Sequence, residues 1–565
     1  MSLYGSIRMA SNTLRADQIV MQVIGQNLAN ANTPGYIREE VVLAPAPIQR
    51  MGRLTLGLGV QVDAVVQKLD KFLEERLRTA VSDRASAERQ EEAYIELERL
   101  IGELSETDLS TSLNSFFSRI ADVLNQPESV TARNLAVLHG QALTDDIRRL
   151  AARVNQLRTN LNEQIEDAGE RINRLIEEIR QLNVRIAETE GGDVSGSDAV
   201  GLRDQRLQAL EQLAELVDIR VEEQLSGGVA VYAGSDFLII EGMGREVEVV
   251  MASEGGYPRA EVRIVATDSP LDISAGQLHG MIEARDEVLT GFLEGLDDLA
   301  RTLAFEFNKL YSSGQGLVGH TELTSAFAVD DLTLPLDAAG LPFTPTNGSF
   351  QLLVRNTKTG LVQTTDILVD LNGLNDELTL QGLADALDAA DGLSAAISSD
   401  GYLTLQTDSP DLEFAFADDT SGLLAALGLS VFFSGSSASD LGIDAVVRDD
   451  PARFAASRGG IGADTSNAVL LANFLDRPLD SQDGATLAEL YDRLIGGHVQ
   501  ASTIARSVAE GTRVFEQTLR GQKLSTSGVS LDEEALKLIA HQRSYQASAR
   551  YIQVLQGLID VLLNL

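Results

Sequence analysis

The sequence predicts a multidomain α+β chain with coiled-coil helices at its two termini, a long-helix bundle domain, and β-rich outer domains inserted in the middle of the chain. Three observations carry this. Apolar heptads stand at both ends, a helical stripe runs from about residue 130 to 189, and the stretch 311–450 turns abruptly acidic and strand-like.

At the N-terminus Leu3, Ile7, Ala10, Leu14, Met21, Ile24 and Leu28 recur in three- and four-residue steps, broken only at Asp17. At the C-terminus Leu531, Leu538, Tyr545, Ile552 and Ile559 fall at steps of seven, and Leu555 and Leu562 widen the stripe. A 3.5-residue repeat keeps one narrow face turned toward a partner helix. The termini therefore pair with each other or with copies of themselves, or form an ordinary antiparallel helix pair inside one domain.

Between them, Thr33-Pro34-Gly35-Tyr36 stops the first helix, because Pro presets the second turn position and Gly supplies positive φ at the third. A β-prone stretch surrounds Leu56–Val62, and helices resume near Asp70. Tyr94, Leu97, Ile101 and Leu104 mark one amphipathic face; Leu113, Phe116, Ile120 and Leu124 mark the next, ended by Pro127. The long stripe runs from Ile147 to Ile186, with a stutter at Val154–Leu161–Ile165, and ends at Gly191-Gly192. A helix over 199–216 leads into strands at 217–223, 229–232 and 237–241. Helical spacing returns from Leu289 to Leu310.

Residues 311–450 then hold Arg355, Lys358 and Arg448 against 21 acids, with alternating runs at Phe350–Val354 and Tyr402–Gln406 around a helix near 378–390. From about 465 the chain reads helical to its end. The expected partition is a terminal axial domain (1–40 and 525–565), a helical core (41–216, 275–320 and 455–524), a small β-rich segment (217–274) and an acidic α+β outer insertion (321–454), the last folding autonomously.

Composition excludes several functions. The formal charge of −39 speaks against nucleic acid, since phosphate binding needs clustered Lys and Arg. The ends are near neutral, so the excess lies between them on a solvated surface. With no cysteine, neither disulfide nor thiolate metal site is available. No cleavable signal and no 18-residue apolar run is present, so no membrane insertion is expected. His139, His279, His320, His498 and His541 stand singly, without metal-ligand spacing. Gly57-Leu58-Gly59 lacks the third glycine of a dinucleotide loop, and Asp370-Leu371-Asn372-Gly373 falls short of a calcium loop. No cofactor, no metal and no catalytic residue is expected.

The specific signals are short motifs. Asn27-Leu28-Ala29-Asn30-Ala31-Asn32-Thr33-Pro34-Gly35-Tyr36-Ile37-Arg38 closely resembles the signature of the axial proteins of the bacterial flagellum, the rod, hook and hook-associated subunits. Leu58–Val62 with Lys68–Leu73 is similar to a second element of that family. Ser527-Gly528-Val529-Ser530-Leu531-Asp532-Glu533-Glu534, followed by Tyr545–Arg550, looks like the terminus of its hook-associated members, as do Leu202–Arg206, Glu215–Ile219 and Asp464–Leu471. Ser530 replaces a residue usual in that core. Ser530 and Glu533 also form the Ser-x-x-Glu pattern of a capping box, with Asp532 and Glu533 on the helix dipole.

The resemblance implies a secreted structural adaptor at the hook–filament junction, with the terminal helices as the innermost layer. It implies as partners copies of itself in a ring, the hook subunit and the second junction protein. Before assembly it implies export through the type III apparatus, with an export chaperone on the C-terminal helix. The alternatives are another axial protein (the second junction protein, the hook or the filament subunit) or a glycan-acting enzyme on a flagellar scaffold. Because each terminal helix offers one narrow apolar face, about the first and last 40 residues are expected to be mobile in the isolated subunit and to fold on assembly.

Overall fold

The computed structural model describes residues 3–51, 54–102, 109–191, 198–240, 242–254, 257–374 and 377–563; Leu104 and Gly192 lie outside that set. In chain order its α-helices are α1 (Leu3–Ala29), α2 (Lys71–Gly102), α3 (Leu109–Asn125), α4 (Val130–Glu190), α5 (Val200–Leu216), α6 (Gly276–Glu283), α7 (Thr290–Ser312), α8 (Leu380–Asp388), α9 (Leu423–Leu427), α10 (Ala445–Asp449), α11 (Ser466–Ala472), α12 (Leu487–Ser527) and α13 (Leu531–Leu563). A π-helical turn, Ala284–Leu289, joins α6 to α7. All described sheets are small and antiparallel. The mixed α+β class, with long terminal helices and strands in the middle, is the one the sequence predicts.

The chain divides into two compact units. One comprises Met1–Glu92, Thr159–Arg285 and Thr503–Leu565; the other comprises Ala93–Arg158 and Asp286–Ser502. Residues of the expected long-helix core therefore fall in both.

In the first unit, Asp70 starts α2 by accepting from the N–H groups of Phe72 and Leu73, both at 3.1 Å. The α2 segment runs antiparallel to the α12 segment along a charged ladder, Glu74–Lys523 at 2.8 Å, Glu88–Arg513 at 3.0 Å and Glu91–Arg506 at 3.9 Å. Only a thin apolar contact lies beneath it, Leu519 against Leu73, Leu77, Ala80 and Val81.

The C-terminal half of α4 buries Ile165, Ile172, Ile176, Ile179 and Ile186 against α5, α6 and two sheets, a meander over 220–244 and a hairpin over 247–264. Three asparagines about three turns apart fix those strands. Asn162 spans Pro258 O and Ala260 N, Asn173 spans both groups of Val247, and Asn183 both groups of Val229, all at 2.8–3.1 Å. Each side-chain amide thus stands in for a neighbouring strand, satisfying edge groups that burial would otherwise leave unpaired.

In the second unit, the acidic segment has a core of its own. Two three-stranded sheets and α8 enclose Phe350, Leu352, Leu383, Leu387, Leu403, Leu405, Phe414 and Phe416, all essentially inaccessible. Thr379 caps α8 through a 3.2 Å bond from Gly382 N. The end of the same segment behaves differently. Phe432 and Phe433 join Phe116 and Phe307 in an aromatic cluster with centroids 4.9–5.7 Å apart. Asn308 of α7 accepts from both their N–H groups at 3.0 Å and donates to Phe433 O at 2.8 Å.

Candidate functional site

The N-terminal and C-terminal motifs meet at one polar node. Asn27, 1% exposed at the end of α1, uses its full hydrogen-bonding capacity there. Its amide donates to Glu534 Oε2 and Glu39 O, both at 3.0 Å, and its carbonyl accepts from Tyr36 Oη at 2.8 Å and Glu39 N at 3.0 Å. Only an amide of this length serves the strand, the turn and the last helix at once.

Arg38 closes the node from the other side. Its guanidinium grips Glu533 through two bonds, 3.1 and 2.9 Å, and lies 3.0 Å from Glu534. Its backbone N–H donates to Ser527 O at 3.0 Å. The hydrogen bonds from Arg38 hold the Glu533 carboxyl down at about 2. Burial raises the Tyr36 phenol, with Glu39 adding to the effect.

Local sequence explains why these groups converge. Tyr36 N bonds Thr33 O at 3.2 Å, with Pro34 and Gly35 at the turn's centre and Gly35 at φ +77°, the geometry expected of the motif. The turn rests on α5, where Gln208 Nε2 donates to Pro34 O at 3.2 Å. Asn30 bonds Gln26 O and Thr33, while Asn32, Thr33, Pro34 and Gly35 are exposed. Gly528 is required by crowding, since a Cβ there would stand 2.3 Å from Leu524 O. Val529 is half-buried, and Asp532 is exposed. Ser530 Oγ accepts from Glu533 N at 3.4 Å. The reciprocal half of the expected capping box is absent, because the Glu533 carboxylate is drawn to Arg38 instead.

Next to the node, Asp204 of the Leu202–Arg206 motif accepts from Gln67 Nε2 at 2.6 Å and from Ile37 N. Burial pushes its carboxyl up to about 7 against those bonds.

Beyond the node α1 and α13 run antiparallel, as the pairs Asn27–Glu534 and Asp17–His541 require. Asp17, the residue that breaks the N-terminal heptad, is 5% exposed and accepts a 2.8 Å contact from His541 Nδ1. It is a seam residue. Leu3, Ile7, Leu14, Met21 and Leu28 are half-buried along α1, and Ile24 is buried beside Ala10, Val20 and Val23.

On α13, Leu538, Ile552 and Ile559 are half-buried, while the Leu562 side chain lies outside the described residues. Two stripe positions are exposed in the single chain. Leu531 is 53% exposed because it opens α13 one turn before Glu534 meets the last turn of α1. Tyr545 is 38% exposed. The facing row is instead Glu534, His541, Ser548 and Leu555, another strict seven-residue series, whose polar members hide it from a search for apolar residues.

No group of three or more potential metal ligands occurs among the described residues, and no described helix is long and apolar enough to cross a membrane. His320 is buried beside Arg453, 3.0 Å away, and burial lowers its imidazole to about 3.

Comparison with known proteins decides what such a node belongs to. The family described as flagellar hook-associated protein FlgK helical domain matches residues 94–324. Those described as flagella basal body rod protein and flagellar basal body rod FlgEFG protein C-terminal match 7–36 and 520–565, which include Asn27 and Tyr36 on one side of the node and Glu533 and Glu534 on the other. Flagellar hook-associated protein 1 of Escherichia coli (strain K12) is 22% identical over 580 residues, covering 99% of both chains. That of Bacillus subtilis (strain 168) is 24% identical over 462 residues, 76% of this chain and 86% of its own. The chain belongs to the flagellar hook-associated protein 1 family.

A solved structure, the flagellar hook junction protein FlgK from Burkholderia pseudomallei, agrees in fold at a TM-score of 0.50 and 14% identity, over 80% of this chain and 100% of its own. Membership makes the protein a structural component of the flagellum rather than an enzyme, assembled with other axial proteins.

Proposed function

We propose that this chain is the structural adaptor at the hook–filament junction, exported to the flagellum and required there for filament assembly. The observation that carries the reading is the node, where Asn27, Arg38, Glu533 and Glu534 tie the two chain ends together. A subunit held that way presents both terminal helices as one body to an axial stack.

The finer reading is a ring of copies, with the hook subunit on one side and the second junction protein on the other. Its support is the second apolar row on α13. Leu536 (70%), Val554 (60%), Leu558 (49%) and Val561 (60%) are exposed on a face that α1 leaves uncovered. Neighbouring axial subunits would cover that row in the assembly, and an export chaperone would cover it beforehand, during passage to the type III apparatus. Deleting the gene tests the junction role. Cells should carry hooks without filaments and shed flagellin into the medium, with both defects reversed by the intact chain. Normal filaments on the deletion strain would refute it.

A further inference from the structure

A cavity of about 280 Å³ opens in the first unit where the start of α2, the middle of α5 and the strands Arg220–Glu223 and Val229–Ala233 face one another. Two of its cations are incompletely satisfied. Arg206 is 4% exposed; its Nη1 donates to Asn183 Oδ1 at 3.0 Å and Gly227 O at 2.8 Å, while its Nε has no hydrogen-bond partner. Arg78 makes no hydrogen bond or ion pair among the described residues and feels only the fields of Glu74, Glu75 and Glu211. Burial lowers both guanidinium groups, Arg206 to about 10.

The acids in the lining offset that burial only through space, without a direct bond to either group. Glu74 is held by Lys523 at 2.8 Å, Glu223 by Lys71 and by Arg203 at 2.8 Å, and Glu75 is exposed. Apart from Gln67, the remaining wall is apolar and includes Leu207, Val221 and Phe72, the last 70% exposed. Desolvated cations without a directly bonded anion cost stability, and a partly apolar cleft with convergent guanidinium groups suits a carboxylate on a hydrocarbon stem.

We propose that this cavity binds a carboxylate carried on a short apolar stem, drawn by Arg78 and Arg206 with its stem against Leu207, Val221 and Phe72. The same chemistry is offered by a free small carboxylate and by a glutamate side chain of a neighbouring copy of this chain. The second source rests on the assembly role proposed above, whereas the first does not.

The test is calorimetric titration of the full chain with hexanoate, glutarate and inorganic phosphate, alongside the variants Arg78→Gln and Phe72→Ala. A free ligand predicts saturable one-site binding of the carboxylates, weakened at least tenfold by Arg78→Gln and less by Phe72→Ala, with phosphate inert. A neighbouring copy predicts that Arg78→Gln cuts incorporation into the junction while export stays normal. In both cases the unliganded Arg78→Gln protein melts at the wild-type temperature or above it, because no partner is lost. Three results would overturn the proposal: neither binding nor an incorporation defect, phosphate binding as tightly as hexanoate, or a fall of several degrees in the Arg78→Gln melting temperature.

Discussion

The α1–α13 pair and the acidic segment of residues 321–454 are held together by opposite means. Among the described side chains of α13, Glu534 and Leu555 are buried, and polar contacts tie the pair at Asn27–Glu534 and Asp17–His541. The acidic segment surrounds its core with two sheets and a helix, and its buried Glu413 is paired with Arg355. A narrow seam gains little from burial and depends on specific partners, while a closed core supplies its own stability. The difference is between a helix that keeps an exposed apolar row and a segment whose own core closes as far as Leu429.

Ile552→Asp should separate the two most sharply. An unpaired charge in the assembled seam costs several kcal/mol per subunit. Filament joining should be lost, while calorimetric melting of the isolated subunit barely moves. Limited proteolysis reads the same contrast: both termini of the wild-type monomer should be trimmed quickly to a resistant core, and a protected Leu531–Leu565 in a proven monomer would end the idea of folding on assembly.

Phe432→Ala works on the other side. Phe432 is wholly buried among Phe116, Phe307 and Phe433, so its truncation should cost about 3–5 kcal/mol and lower the melting temperature directly. It also marks where the acidic module stops being separable. Excision ending near residue 429 should retain a folded protein, whereas excision of 321–454 should not, as circular dichroism melts would show.

Glu534→Ala leaves Arg38 and the Asn27 amide facing a buried gap. About 3 kcal/mol of terminal pairing should go from the assembled state, appearing as weaker incorporation into the junction with little change in melting of the isolated subunit. Asp204→Asn should have the smallest effect and a definite pH signature. The folded carboxyl sits at about 7, above its unfolded value, so its contribution is fully present at low pH and is lost as pH rises toward 7 and through it. The amide should therefore raise stability at pH 8 by about 1 kcal/mol after solvent screening, and by almost nothing at pH 4. Equal gains at both values would contradict the burial argument.

Much of this was legible in the sequence, because it rested on short-range rules. Periodicity placed α4 within a residue at each end, Thr33-Pro34-Gly35-Tyr36 announced its turn, and the motif residues pointed to the family. Other features arose from contacts hundreds of residues apart, which no local pattern encodes. Asp17 reads as a flaw in a heptad until His541 stands opposite it, and His541 as a stray histidine until Asp17 does. Asn162, Asn173 and Asn183 read as polar interruptions of a stripe until the strands they bind are in place. Burying a polar side chain is affordable only beside its partner, so the sequence by itself determined which segments are helix, strand or turn, and only the tertiary structure decided which polar residues lie inside.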